Sequence, residues 1–231
     1  MSAIGILGGM GPQASAKLYE LLIRSSKGYT PAAVDDDYPE IVLLNVPVPN
    51  FISNKNELPK ARRMLIERTK LLEAAGCTIN AIACNTAHIL LPDIQATTTV
   101  PFLSLPKLVA DETQSTNYKR VGLLATPTTL NSTLYDEALN NIAEVVRPKR
   151  EFAERIEQYI YKQLNDNLSE LERRKFRAEV ANFKNNSNLD AVILGCNELP
   201  LVYGESPDNN SVFDTLQILC DGLLKEYFRY I

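Results

Sequence analysis

The chain has 231 residues, 45% of them hydrophobic and 23% charged, which is enough for one large soluble domain or two α/β lobes of ordinary size. Its formal net charge of −4 lacks the basic footprint that a phosphate backbone requires, which excludes nucleic acid as a partner. No apolar run approaches the roughly 20 residues that span a bilayer, and the chain enters a strand without a basic leader, so no membrane partner and a cytoplasmic protein are expected.

Ala3-Ile4-Gly5-Ile6-Leu7 reads as a buried strand that runs into the tight turn Gly8-Gly9-Met10-Gly11-Pro12. Pro12 suits the first turn of a helix continuing to about Lys27. A second strand is expected over 40–45, followed by Val46-Pro47-Val48-Pro49-Asn50-Phe51, whose paired prolines impose an extended path. Residues 58–75 form an amphipathic helix stopped by Gly76. A strand over 79–83 leads into Cys84-Asn85-Thr86-Ala87-His88 and another helix, and a short apolar segment follows at Pro101-Phe102-Leu103. The pattern restarts at Arg120-Val121-Gly122-Leu123-Leu124-Ala125-Thr126-Pro127. Helices over 151–165 and 169–184 precede a strand over 191–194, the turn Gly195-Cys196-Asn197-Glu198-Leu199-Pro200, a polar segment over 206–210 and a last helix over 214–230. Strands alternating with helices predict parallel sheets covered on both faces.

The two halves echo each other. Ile4-Gly5-Ile6-Leu7-Gly8 matches Val121-Gly122-Leu123-Leu124-Ala125, and Asn80-Ala81-Ile82-Ala83-Cys84-Asn85 matches Ala191-Val192-Ile193-Leu194-Gly195-Cys196-Asn197. The spacing from first strand to Cys-Asn is about 75–80 residues in each, so both copies place a cysteine at the carboxyl end of a strand. Ligands bind there in open α/β sheets, and a following helix N-terminus favours a thiolate and attracts a carboxylate.

Four cysteines without a C-x-x-C pair, and a single histidine, disfavour a metal site and a disulfide framework. Cys77 and Cys220 read as packing residues, and His88 as a hydrogen-bonded residue that orders the Cys84 loop. The glycines at 8, 9 and 11 do not make G-x-G-x-x-G, so close passage past a substrate is the favoured reading over a dinucleotide loop. Two lobes that each offer a thiol suit stereoinversion at a carbon acid, in which one group removes a proton from one face and a second returns one to the other.

Gly8-Gly9-Met10-Gly11-Pro12, Ala83-Cys84-Asn85-Thr86-Ala87-His88 and Gly195-Cys196-Asn197-Glu198-Leu199 together resemble the signatures of aspartate racemases, within the aspartate/glutamate racemase superfamily. The resemblance implies an α/β fold of two Rossmann-like lobes with parallel sheets, related by a pseudo-twofold axis, with the active site in the cleft between them. The lobes would be 1–104 plus 208–231, and 105–207. It implies a cofactor-independent amino-acid racemase without pyridoxal phosphate or metal, with a small amino acid as substrate, and a homodimer. Cys84 and Cys196 would be the catalytic pair. Asn85, Thr86 and Asn197 would hold the α-carboxylate or α-amino group, Met10 and Thr126 would face the substrate, and Glu198 would orient the ammonium or raise the basicity of the second thiol.

Three positions depart from the family pattern. Asn197 stands where threonine is usual, and it can still donate and accept hydrogen bonds. In Val48-Pro49-Asn50-Phe51, phenylalanine replaces the arginine that aspartate-specific members direct at the distal carboxylate, so Asn50 and Phe51 bear on specificity. Arg155 aligns with a lysine serving the same carboxylate, and its alternative is a solvated ion pair. Aspartate or glutamate is therefore expected first, with a broader or uncharged side chain close behind. A maleate isomerase-like or other two-cysteine enzyme of the superfamily, and a catalytically silent small-molecule binding protein, are the alternatives.

Overall fold

The computed structural model describes residues 2–30, 34–51, 54–204 and 211–229. The expected polar segment at 206–210 and the final residue of the last expected helix lie outside the described residues. Two compact units divide the chain: Met1–Leu105 with Leu216–Ile231, and Pro106–Thr215.

In the first unit the order is β1 (Ala3–Gly8), α1 (Pro12–Ser26), β2 (Glu40–Asn45), α2 (Leu58–Ala74), β3 (Cys77–Ile82), α3 (Leu91–Gln95) and β4 (Phe102–Leu103). α4 (Leu105–Ser115) carries the chain into the second unit. There β5 (Arg120–Leu124), α5 (Pro127–Leu130), α6 (Leu134–Ala138), β6 (Glu144–Val146), α7 (Arg150–Leu164), α8 (Glu170–Asn186), β7 (Ala191–Leu194), α9 (Leu199–Tyr203) and β8 (Val212–Asp214) follow. α10 (Thr215–Phe228) returns to the first unit. The boundary expected at 207/208 falls before β8, which pairs with β7; Val212–Asp214 therefore belong to the second sheet.

Both sheets are parallel and share one strand order, β2-β1-β3-β4 in the first and β6-β5-β7-β8 in the second. The repeat visible in the sequence is thus a repeat of topology. β1 and β7 are buried along their whole length, whereas the edge strand β2 is only partly covered, as a parallel sheet flanked by helices requires.

The helices lie where their apolar spacing directs them. α2 buries Ala61, Leu65, Thr69 and Leu72 on one face, with Pro59 in its first turn and Gly76 beyond its end at φ +82°. α7 buries Phe152, Ile156, Ile160 and Gln163. α8 opens with a capping box in which the Ser169 hydroxyl accepts from the Glu172 N–H while Glu172 accepts from the Ser169 N–H at 2.9 Å. Separate apolar clusters result among the described residues. One includes Leu7, Met10, Val46, Phe51, Leu65 and Cys84, and another includes Leu124, Ile156, Phe176, Leu194 and Cys196.

Candidate active site

Each unit brings its Cys-Asn turn to the same point of its sheet. β3 ends at Ile82, and the next residue, Ala83, donates its N–H to the Leu7 carbonyl of β1 at 2.9 Å. β7 ends at Leu194, and Gly195 donates to the Leu124 carbonyl of β5 at 2.7 Å. Cys84 and Cys196 are therefore the second residues past equivalent strands, with 4% and 6% of their surface exposed. Their neighbours Asn85, Thr86, Asn197 and Glu198 are buried as well.

The first turn is organised by His88. Its Nδ1 lies 2.8 Å from the Cys84 carbonyl and its Nε2 accepts the Leu105 N–H at 3.1 Å. An Nε2 that accepts leaves the proton on Nδ1, so the ring is a neutral tautomer donating to Cys84. Burial pushes its pKa below the ordinary 6.5, against the opposing pull of hydrogen bonds to backbone carbonyls. The ring holds the backbone of the thiol residue, which fulfils the loop-ordering role expected of it.

The second turn carries a carboxylate. Cys196 Sγ donates to Glu198 Oε2 at 2.9 Å, and Glu198 is itself buried. The first turn has Thr86 where the second has Glu198, so the two thiols sit in unlike surroundings. Glu198 thus contacts the thiol of its own turn. Thr126 caps α5, where its hydroxyl accepts from the Thr129 N–H at 3.4 Å and donates to the Thr129 hydroxyl at 3.2 Å.

Several expectations are revised. The segment after Cys84 is a 3-10 turn, Thr86–Leu90, followed by the five-residue α3, and α9 after Cys196 also has five residues. Neither is long enough to develop the dipole invoked for lowering a thiol pKa. At two glycines of the first loop the protein's own packing already leaves no room for a Cβ. A Cβ on Gly8 would lie 2.7 Å from the Ser15 hydroxyl, and one on Gly9, at φ +93°, would lie 2.6 Å from the Val46 nitrogen.

Phe51 is 2% exposed and packs in the apolar cluster that contains Met10 and Cys84, while Asn50 is exposed. Arg155 lies on α7, where it donates to Glu179 of α8 at 2.7 Å and to the Glu151 carbonyl at 3.0 Å, with its guanidinium over the Phe152 ring. It is engaged in an ion pair that joins the two helices. Cys77 and Cys220 are buried, and burial followed by the nearby Glu40 charge raises the Cys77 thiol above its usual range.

Thr129 and Tyr135 were not anticipated. Tyr135 is 1% exposed; burial first, and then charge at Cys196, raise its phenol above the ordinary tyrosine range, so it stays protonated. Thr126-Pro127-Thr128-Thr129 does read as a cap followed by a proline start, a signal that could have pointed to Thr129. The five-residue α6 gives no periodicity that would have singled out Tyr135. Among the described residues no group of three or more His, Cys, Asp or Glu side chains converges to hold a metal ion. Likewise, no described helix is long and apolar enough to cross a membrane.

The duplicated sheet, with a buried Cys-Asn turn past an equivalent strand in each copy, defines a two-unit α/β protein. Residues 7–222 match the model of the Asp/Glu/hydantoin racemase family; the chain belongs to that family and is an enzyme of the isomerase class. It is 24% identical over 229 residues to a broad specificity amino-acid racemase of Bacillus subtilis, covering 98% of this chain and 99% of that one. Among solved structures it is similar to an aspartate racemase homologue from Pyrococcus horikoshii, with 29% identity, a TM-score of 0.82, and 98% and 99% of the two chains covered. It also resembles an aspartate racemase of Picrophilus torridus, with 28% identity, a TM-score of 0.80, and 98% and 94% covered.

Proposed function

We propose that this protein is an amino-acid racemase that inverts the α-carbon by proton transfer between the substrate and two thiols, Cys84 and Cys196. The observation that carries the reading is the doubled turn: two cysteines, each followed by asparagine, at equivalent positions past equivalent strands. In the reaction, one thiolate takes the α-proton as the Cα–H bond breaks. The electron pair moves into the substrate carboxylate, and the other thiol delivers its proton to the opposite face of the carbon. One thiol is left protonated and the other ionised, and the reverse direction exchanges the roles. Asn85, Thr86, Thr126 and Asn197 supply donors suited to the charge that grows on the carboxylate. Glu198 can hold or return the Cys196 proton, because its carboxylate already accepts the S–H.

The substrate is proposed to be a neutral amino acid, within a broad range. Arg155 is committed to Glu179, and Phe51 belongs to an apolar cluster. The broad specificity relative spans almost the whole chain. A homodimer accompanies this reading through the family resemblance.

The test is α-proton exchange in D2O, followed by proton NMR, on reduced protein with a panel of L- and D-amino acids and no added cofactor. Loss of the α-proton signal with appearance of the opposite enantiomer is expected, fastest for uncharged side chains. Aspartate or glutamate as the preferred substrate would overturn the specificity reading. No exchange on any amino acid would favour a non-amino-acid substrate or a silent binding protein.

A further inference from the structure

The geometry points to Arg173 and Arg177 of α8 as positioning residues that hold the Cys196–Glu198 pair through the short helix α9. This rests on the reading of Cys196 as a proton-transfer group. α9 is only five residues long, with Glu198 at its N-cap position and no side-chain cap hydrogen bond. A helix of this length has little stability of its own. It is nevertheless the element that fixes Glu198 against the thiol. The Leu199 N–H donates to the Cys196 carbonyl at 2.9 Å, and the Val202 N–H donates to the Glu198 carbonyl at 3.0 Å.

The two arginines anchor the other end of this helix. Arg173 donates to the Leu201 carbonyl, and through its second Nη to Gln163 Oε1 of α7 at 3.1 Å. Arg177 donates to the Tyr203 carbonyl at 2.7 Å and to Glu170 Oε1 at 2.8 Å. Two cations therefore occupy the carbonyl end of α9, where they satisfy acceptors that a helix terminus leaves open. Each guanidinium bridges α9 to a second element, a geometry that a planar fork supports and a lysine ammonium reproduces only in part. A continuous chain of contacts runs from partly buried arginines to the thiol: guanidinium, α9 carbonyl, α9 backbone, Glu198, Sγ. The catalytic reading does not itself assign either arginine, because neither touches the reacting groups.

The consequence is a division of labour around Cys196. Glu198 sets the electrostatic surroundings of the thiol, and Arg173 and Arg177 keep its carboxylate within hydrogen-bond reach. Loosening α9 would let Glu198 drift from Sγ and remove a negative charge from beside the thiol. Thiolate formation would then become easier, while the ordered proton acceptor was lost.

Arg177→Met, Arg177→Lys and Glu170→Gln test this. The last removes the outer partner of Arg177, which also pairs with the exposed Arg174 at 3.6 Å, at a side chain that is 60% exposed, and does not endanger the fold. Thiolate formation at Cys196 is followed by absorbance at 240 nm, as the difference between each protein and the same protein carrying Cys196→Ser. In Arg177→Met the midpoint is expected to move to lower pH by about half a unit or more. The turnover number for α-proton exchange should fall about tenfold with KM within about twofold, as for a displaced reacting group. Arg177→Lys should recover part of both effects, and Glu170→Gln should shift the midpoint slightly in the same direction. An unchanged midpoint in folded Arg177→Met and Glu170→Gln would overturn the positioning role, whatever the activity. The absorbance readout needs no turnover, so loss of the racemase reading, seen as undiminished racemisation by the Cys196→Ser protein, is a separate result.

Discussion

Because His88 is the only histidine in the chain, the pH dependence of stability around neutrality isolates its contribution. The ring is 2% exposed and pinned by two hydrogen bonds that require it neutral. Burial depresses its folded-state pKa below the 6.5 of the unfolded chain. Between those two values the unfolded state binds the extra proton, so stability is complete above 6.5 and falls as pH drops through and below it. One unit below, an unfolded imidazole is about nine-tenths protonated, which corresponds to about 1.4 kcal/mol of lost stability if the folded ring takes up no proton.

Urea unfolding of the wild type at about pH 7.5 and about pH 5.5, beside His88→Gln, measures this difference. The variant should be less stable at the higher pH, because the Cys84 carbonyl or the Leu105 N–H loses a partner at about 1–3 kcal/mol for each group left unpaired. It should also lose most of the pH dependence in this window. A wild type equally stable at both pH values, or a variant with the same slope, would refute a buried neutral imidazole holding the Cys84 loop. The tautomer has its own check, since one histidine gives one ring in a long-range nitrogen–proton NMR spectrum. A protonated Nε2 there would contradict the assigned contacts.

Other changes have directions fixed by packing. Asn80 is fully buried on β3 with neither its Nδ2 nor its Oδ1 hydrogen-bonded, so Asn80→Leu should leave the urea midpoint unchanged or raise it by the equivalent of up to about 1 kcal/mol. Asn80→Asp should lower it sharply, because a charge cannot be left unpaired there. Gly9→Ala should destabilise by about 2 kcal/mol or more, since the added carbon meets Val46 backbone atoms at 2.6 and 2.7 Å from a positive-φ position. Calorimetry or urea unfolding reads this, and a wild-type midpoint would contradict the close approach. Ser169→Ala removes the α8 cap and should lower stability by about 1 kcal/mol in the same assay.

Much of this arrangement was legible in the sequence because its signals are local and repeated. The Ile4-Gly5-Ile6 and Val121-Gly122-Leu123 strands and the two Cys-Asn turns follow from short apolar runs ending in small residues, and the structure gives them one topology twice. What escaped is short or acts through space. β6 and β8 have three residues each, too few for alternation to register. The helices expected after the cysteines shrank to a 3-10 turn and five-residue segments, because a cap or proline signal marks a start and does not set a length. Charge pairing is also unreadable from composition: Arg155 engages Glu179 on the next helix, and Glu198 turns to its neighbour's thiol two residues back. Phe51 illustrates the limit from the other side, since an apolar residue in a proline-rich loop reads equally as pocket or core until its neighbours are known.

The central claim is the two-thiol transfer, and single-cysteine variants test it most directly. Cys84→Ser and Cys196→Ser, each offered one enantiomer at a time in D2O, separate proton removal from inversion. The account predicts that neither variant racemises, while each can still exchange the α-proton of the one enantiomer whose face its remaining thiol serves, with opposite preferences in the two. Racemisation undiminished in either variant would contradict it.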